Sequence, residues 1–159
     1  MKNFDFWTKW LILIGLLLVL FGLALAVFNQ SLLFEILFNS NVDPVFWGLA
    51  AVPPASQNFQ RWAYAVLGAT VAGWGVFLTF LAYFPFHKKE LWAWNCILVG
   101  MLVWYFPDTI LSMLYGVVFN AVFNTLLLVL ILLPLIFTHR HFSGGPARHR
   151  SRHSRKEAA

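Results

Sequence analysis

The chain has 159 residues, of which 60% are hydrophobic and 11% are charged, and its formal net charge is +5. Because a soluble domain carries about 25% charged residues to keep its surface wet, this composition excludes an ordinary water-soluble core. The charges also lie outside long apolar runs, so the sequence predicts an all-α integral membrane protein whose main solvent is lipid.

Four segments of the chain are apolar over a length that suits a membrane span. A helix needs about 20 mostly apolar residues to cross about 30 Å of hydrocarbon. We predict that the four segments form a bundle of transmembrane helices within a membrane domain of residues 1–139. The predicted spans are residues 10–28, 62–84, 91–114 and 117–138.

The first span also has the features of a secretory signal. Lys2 and Lys9 precede it, and Ala24 and Ala26 near its end are small residues of the kind that signal peptidase prefers. However, the apolar run is long for a signal peptide, and aromatic residues crowd the segment before it. We therefore predict a membrane span at 10–28 and keep cleavage after about residue 26 as the alternative.

The connection between the first two spans, residues 29–61, is too apolar to be a plain linker. We call it the outer loop. Its first part surrounds the single acidic residue Glu35 with Leu, Ile and Phe, which predicts a short amphipathic helix in the outer interface. Pro44 and Pro53 interrupt the remainder of the loop. The aromatic residues of this loop either cap a ligand site or simply pack on the helices.

The third span has an ambiguous end. A helix that stops at Phe106 is short for a span, whereas one that continues to Leu114 must contain Pro107. Membrane helices tolerate proline when neighbouring groups bind the freed carbonyl, so we predict the longer helix, followed by a turn at Gly116. Trp104, near the end of the uninterrupted apolar run, is predicted to lie in an interfacial aromatic belt.

Small residues recur four positions apart in several spans. Gly22 and Ala26 form such a pair in the first span, as do Gly68 and Ala72 in the second. Lipid provides no hydrophobic drive for helices to associate, so small residues that permit close backbone approach are typical of helix–helix contacts. We predict that the second span is packed closely by its neighbours.

The basic residues predict the orientation of the spans. Lys2 and Lys9 precede the first span, Lys88 and Lys89 separate the second from the third, and Arg61 is the only basic residue of the outer loop. Cytoplasmic loops carry the excess of lysine and arginine, so both termini are predicted to be cytoplasmic (N-in/C-in). This dependence on charge, with the small size, favours the plasma (inner) membrane of a bacterium.

The C-terminal segment, residues 140–159, is rich in arginine, histidine and serine and poor in apolar residues, which predicts a disordered cytoplasmic tail. Arginines beside the last span attract anionic lipids, each contributing about 1 kcal/mol near the membrane surface. The same arginines would also enforce the orientation of the span. Positive charge alone is a weak indication of nucleic-acid binding, so no nucleic acid is expected as a partner.

Polar side chains at membrane depth are costly, so each is a candidate functional residue. The predicted topology places Arg61, Asp108, Asn120 and Asn124 in the outer half of the bundle. An isolated carboxylate at this depth would be neutral, whereas a guanidinium close to Asp108 would keep its carboxylate charged. This cluster predicts either a ligand or ion site or a set of interhelical hydrogen bonds that only fixes the packing. Trp74, in the middle of the second span, is positioned to stack a flat ligand or to fill the core.

Motifs for common chemistries are absent from the sequence. Cys96 is the only cysteine, the histidines lie outside the spans, and no phosphate-binding loop, zinc-protease motif or nucleophile elbow occurs. We therefore predict no catalytic residue, metal or cofactor. The favoured function is non-enzymatic binding of a lipid-like ligand, a partner membrane subunit or a second copy of the chain. The alternative is a small membrane enzyme or proton-coupled transporter that uses Asp108 and Arg61.

Overall fold

The computed structural model describes residues 2–48 and 51–142, and all regular secondary structure in these stretches is helical. Four of the helices are long and apolar enough to cross a membrane, as expected for an integral membrane protein. In chain order the elements are α1 (Lys2–Phe28), α2 (Leu32–Phe34), a π-helical turn (Glu35–Asn39), α3 (Ser40–Trp47), α4 (Pro54–Leu81), a second π-helical turn (Ala82–Phe86), α5 (Leu91–Leu114) and α6 (Val118–Phe142).

Several helices extend beyond the predicted spans. α1 begins at Lys2 and α4 at Pro54, eight residues before the predicted starts at 10 and 62. Hydropathy marks only the part of a helix that lies in hydrocarbon, whereas the backbone hydrogen bonds of a helix can continue beyond it. Proline suits the first helical position of α4, since its missing N–H would have no partner there. α6 continues to Phe142, so residues 140–142 are helical, whereas the remainder of the predicted tail, 143–159, lies outside the described residues.

The third long helix, α5, runs without a break from Leu91 to Leu114, with Pro107 inside it. It is the longer of the two helices that the sequence allows. The chain then reverses at Gly116, whose φ of 77° favours glycine because it has no Cβ. The amide of Val117 closes this turn by donating a hydrogen bond of 2.8 Å to the carbonyl oxygen of Ser112.

The four long helices lie side by side in the order α4, α1, α6, α5. α1 packs along α4 on one side and along α6 on the other, and α5 packs along α6. α4 and α5 make few contacts with each other, so the arrangement is open between them. Following the predicted orientation, we call the end with α2, α3 and Gly116 the outer end and the opposite end the inner end.

Glycine allows the close approach of α1 and α4. A Cβ added to Gly22 would lie 2.5 Å from the carbonyl oxygen of Gly68, and a Cβ added to Gly68 would lie 2.5 Å from that of Gly22. One step further along, a Cβ on Gly75 would lie 2.6 Å from the carbonyl oxygen of Gly15. The two backbones are therefore in direct contact, as small residues permit between helices in lipid.

Three chain segments meet at the inner end. Phe86, from the turn before α5, is fully buried and its ring lies 5.8 Å from that of Phe4 in α1 and 4.9 Å from that of Phe142 in α6. The ammonium group of Lys89 lies 5.1 Å from the centre of the Phe4 ring. The N-terminal segment, the connection between α4 and α5 and the end of α6 thus share one end of the molecule.

A tryptophan of α1 compensates for a proline of α6. Pro134 has no N–H, so the carbonyl of Leu130 loses its normal helical partner. The indole N–H of Trp10 donates a hydrogen bond of 3.0 Å to that carbonyl oxygen. The bond therefore satisfies a backbone group that lipid could not satisfy and links α1 to α6.

Replacing Trp10 with phenylalanine is expected to lower the free energy of unfolding by about 0.6–1.7 kcal/mol, as for interhelical hydrogen bonds in membranes. The loss should shrink in a Pro134→Ala background, where residue 134 supplies the N–H for Leu130. Unfolding in mixed micelles measures the free energy of unfolding in both backgrounds. Trp7→Phe is the control, because the Trp7 ring stacks on Phe137 at 5.0 Å and a phenylalanine ring can keep that contact. An equal loss in both backgrounds would contradict this role of Trp10.

Candidate functional site

A cavity of about 730 Å³ occupies the outer half of the opening between α4 and α5. α1, α3, α6 and the first π-helical turn complete its walls, which are mostly apolar. Its size falls within the range of about 300–1,000 Å³ that is typical of small-molecule pockets. The aromatic side chains that line it are Phe21, Phe38, Phe46, Tyr64, Trp74, Trp104, Tyr115, Phe119 and Phe123.

Two tryptophans bridge the opening between α4 and α5. The rings of Trp74 and Trp104 meet edge to face, with centroids 5.5 Å apart. Trp74 also lines a smaller apolar hollow of about 180 Å³ towards the inner end, beside Cys96. Because α5 continues through Pro107, Trp104 lies in mid-helix at the cavity rather than in the predicted interfacial belt.

Asp108, Ser112 and Asn120 form a hydrogen-bonded group on the cavity wall, which we call the Asp108 network. The side-chain amide of Asn120 in α6 donates to Asp108 Oδ1 and to Ser112 Oγ, both at 2.8 Å. Ser112 Oγ in turn donates to the backbone carbonyl of Asp108 at 2.7 Å. Within the described residues the hydrogen bonds to this carboxyl group reach Oδ1 and none reaches Oδ2, so Oδ2 is left as an acceptor.

Asn124 lies one turn from Asn120 on the same face of α6 and also lines the cavity. It is only 2% exposed, and its side-chain amide donates a long hydrogen bond of 3.5 Å to Thr109 Oγ1 of α5. The structure thus brings Asp108, Asn120, Asn124 and Trp74 together around one cavity. The polar residues among them all lie on the α5–α6 side.

Arg61 is not part of this group. Its side chain is exposed and does not line the cavity, while its backbone carbonyl accepts a hydrogen bond of 3.4 Å from the side-chain amide of Asn29. The cavity-facing side of α4 continues instead to Gln60, whose amide donates to Asp43 Oδ1 at 2.7 Å. The expected contact between Arg61 and Asp108 does not form. Successive side chains on a helix are rotated by about 100°, so Arg61, one residue after Gln60, lies off the face of α4 that borders the cavity.

The outer loop covers the cavity with aromatic side chains. The Phe38 ring packs against Phe21 of α1 at 5.9 Å and against Phe119 and Phe123 of α6 at 5.5 and 6.3 Å. Phe34, one turn earlier, is buried beside them. On the other side of this segment several large apolar side chains are exposed, namely Leu32, Leu33, Ile36 and Leu37.

The polar groups on the cavity wall are few. Among residues 2–48 and 51–142, no group of three or more histidine, cysteine, aspartate or glutamate side chains is positioned to hold a metal ion. The cavity wall offers one carboxyl group, two amides and hydroxyl groups within a large aromatic surface. Such walls bind apolar molecules and use their few polar groups to fix the orientation of the bound molecule.

Protein-family models, curated proteins and solved structures were each compared with the chain, and none matches it. The candidate function therefore depends on the geometry of the cavity and on its chemistry.

Proposed function

We propose that this membrane protein acts without catalysis and binds a lipid-like ligand in the cavity between α4 and α5. The observation that carries the proposal is the cavity itself, about 730 Å³ of mostly apolar space with the Asp108 network on one wall. Water is a poor filler for space with apolar walls. An amphiphile with a long apolar chain and one polar group matches both parts of the surface.

Two other functions fit the cavity less well. The transporter or enzyme hypothesis used Arg61 and Asp108 together, and only Asp108 lines the cavity. A partner membrane subunit would cover the opening between α4 and α5 from outside. The rings of Trp74 and Trp104 already meet across that opening, with centroids 5.5 Å apart, so a helix about 10 Å wide would not enter there without displacing them. We therefore treat a partner subunit as one outcome of the binding test.

Filling the cavity is expected to abolish ligand binding. Val71 lines the cavity, whereas Val66, on the same helix, is 49% exposed and does not line it. In native mass spectrometry of gently solubilised protein, wild type and Val66→Trp should retain a bound lipid-like molecule and Val71→Trp should lose it. Unfolding curves of both variants control for stability, and Leu67→Trp replaces Val71→Trp if the latter does not fold. Equal retention by all variants, or retention of a protein subunit alone, would refute the proposal.

We further propose that both ends of the chain face the cytoplasm and that the protein lies in a plasma membrane, with the outer loop contributing a helix at the outer interface. Support comes from the inner end, where Phe4, Phe86 and Phe142 meet beside the basic residues Lys88 and Lys89. Segments that share one end of the molecule and carry positive charge fit the positive-inside rule.

The orientation can be measured with single cysteines in a Cys96→Ala background. Asn41 in α3 and Lys88 before α5 are both exposed positions at opposite ends of the molecule. A membrane-impermeant maleimide should label Asn41→Cys on intact cells and label Lys88→Cys only after the cells are permeabilised. The reverse pattern would show that the orientation is inverted.

A further inference from the structure

The Asp108 network also indicates the chemistry of the ligand, provided that the cavity binds an amphiphile as proposed above. We propose that the cavity selects a single-chain amphiphile with a protonated primary amine as its head group. The ammonium group binds Asp108 Oδ2, and the alkyl chain lies along the aromatic walls towards Trp74.

The charge of the cavity favours a cation. Its lining within the described residues contains the carboxyl group of Asp108 but no lysine, arginine or histidine. Two unit charges attract or repel most strongly where little water separates them. An anionic head group, such as a phosphate or carboxylate, would meet the carboxyl group of Asp108 with no compensating cation in the lining. A cationic head group would supply the partner that Asp108 lacks.

The hydrogen bonds around the carboxyl group favour a ligand head group that donates hydrogen bonds. Asp108 Oδ1 accepts from the side-chain amide of Asn120 at 2.8 Å and lies 3.2 Å from the hydroxyl of Ser112, which can donate to it. These bonds hold the carboxyl group in one orientation and leave Oδ2 as an acceptor. An ammonium group has three donors and no acceptor, so it complements this oxygen. An alcohol has one donor and carries no charge.

The aromatic lining of the cavity also suits an organic cation. Trp104, Tyr115 and Phe119 line the same cavity as Asp108. Aromatic faces attract cations, and aromatic cages recognise organic ammonium ligands. The cavity therefore provides both of the features that favour an organic cation, together with apolar space for its chain.

The test is a competition between amphiphiles of equal chain length. Dodecylamine, dodecanol and dodecyl phosphate are offered to the full-length protein at neutral pH, and native mass spectrometry measures the occupancy of each. We expect dodecylamine to bind at least about tenfold more tightly than dodecanol, equivalent to about 1.4 kcal/mol. Dodecyl phosphate should bind most weakly of the three.

Two variants locate the source of the preference. Asp108→Asn should remove the advantage of the amine over the alcohol while retaining dodecanol, which also shows that the cavity is intact. Asp43→Asn changes the aspartate that accepts from Gln60 and does not line the cavity, so it should leave the preference unchanged. If Asp108→Asn does not fold, the comparison of the three compounds on the wild-type protein still decides.

The outcomes separate this inference from the proposed function. Equal binding of all three compounds, or tighter binding of the alcohol or phosphate, would overturn the amine preference but leave ligand binding intact. An amine preference that survives Asp108→Asn would overturn the role of Asp108. Binding of none of the three compounds would overturn both proposals.

Discussion

Replacing Phe86 with alanine is expected to lower the free energy of unfolding by about 3–5 kcal/mol, the usual cost of deleting a buried phenylalanine ring. Phe86 is 0% exposed and its ring contacts Phe4 and Phe142, so its removal leaves a void between three chain segments. Core structures relax only partly around such a void, so most of the cost remains. Denaturant or detergent titration followed by circular dichroism measures the change.

Phe84 provides the matched control for Phe86. It lies in the same π-helical turn but is 47% exposed, and its ring packs on those of Phe80 and Tyr83, which are themselves exposed. Phe84→Ala should therefore cost about 1 kcal/mol or less, as for exposed substitutions generally. Similar losses for the two variants would show that the inner end does not hold the helices together.

Replacing Gly68 with alanine is expected to destabilise the protein by about 1–3 kcal/mol, although alanine is the better helix former. The new Cβ would lie 2.5 Å from the backbone nitrogen of Ala26 and 2.5 Å from the Gly22 carbonyl oxygen. Backbone atoms cannot rotate away as a side chain does, so α1 and α4 must move apart. The same unfolding titration measures this loss.

Gly73, on the same helix, is the control for Gly68. A Cβ there would have no atom within 4 Å, so Gly73→Ala should be neutral or stabilise α4 by about 0.5–1 kcal/mol. The double variant Gly22→Ala/Gly68→Ala should lose less free energy of unfolding than the two single variants together. One movement of α1 away from α4 relieves both close contacts. Additive losses, or a loss at Gly73, would contradict the close contact of α1 and α4.

Much of the helical framework can be predicted from the sequence. Hydrophobic length identifies the four long helices, and the pairing of Gly22 and Gly68 with alanines four residues on indicates where backbones approach. Pro107 does not end α5, since a membrane helix retains its hydrogen bonds where no water competes for them. These features depend on local composition, which a single sequence contains.

The candidate site can be predicted only in part from the sequence. Asp108 and Asn120 can be paired from the sequence because a short turn joins α5 to α6, which makes them neighbours. The exclusion of Arg61 depends on the rotation of α4 about its axis, and the role of Trp104 depends on how far α5 continues. The opening between α4 and α5 is set by the order of the helices, which hydropathy does not encode. The sequence contains one indication of the cavity wall, because Tyr64, Val71 and Trp74 are spaced so that they lie on one face of α4.

The most direct test of ligand binding in the cavity is a crystal structure of the protein grown from a lipid phase with a brominated single-chain amphiphile. Bromine gives an anomalous signal that locates the chain. We expect a bromine peak inside the cavity, between Phe21, Trp74 and Phe123, with the head group at Asp108. Peaks confined to the outer surfaces of the helices, for example beside Val103, would contradict ligand binding in the cavity, as would a cavity closed by contact of α4 with α5.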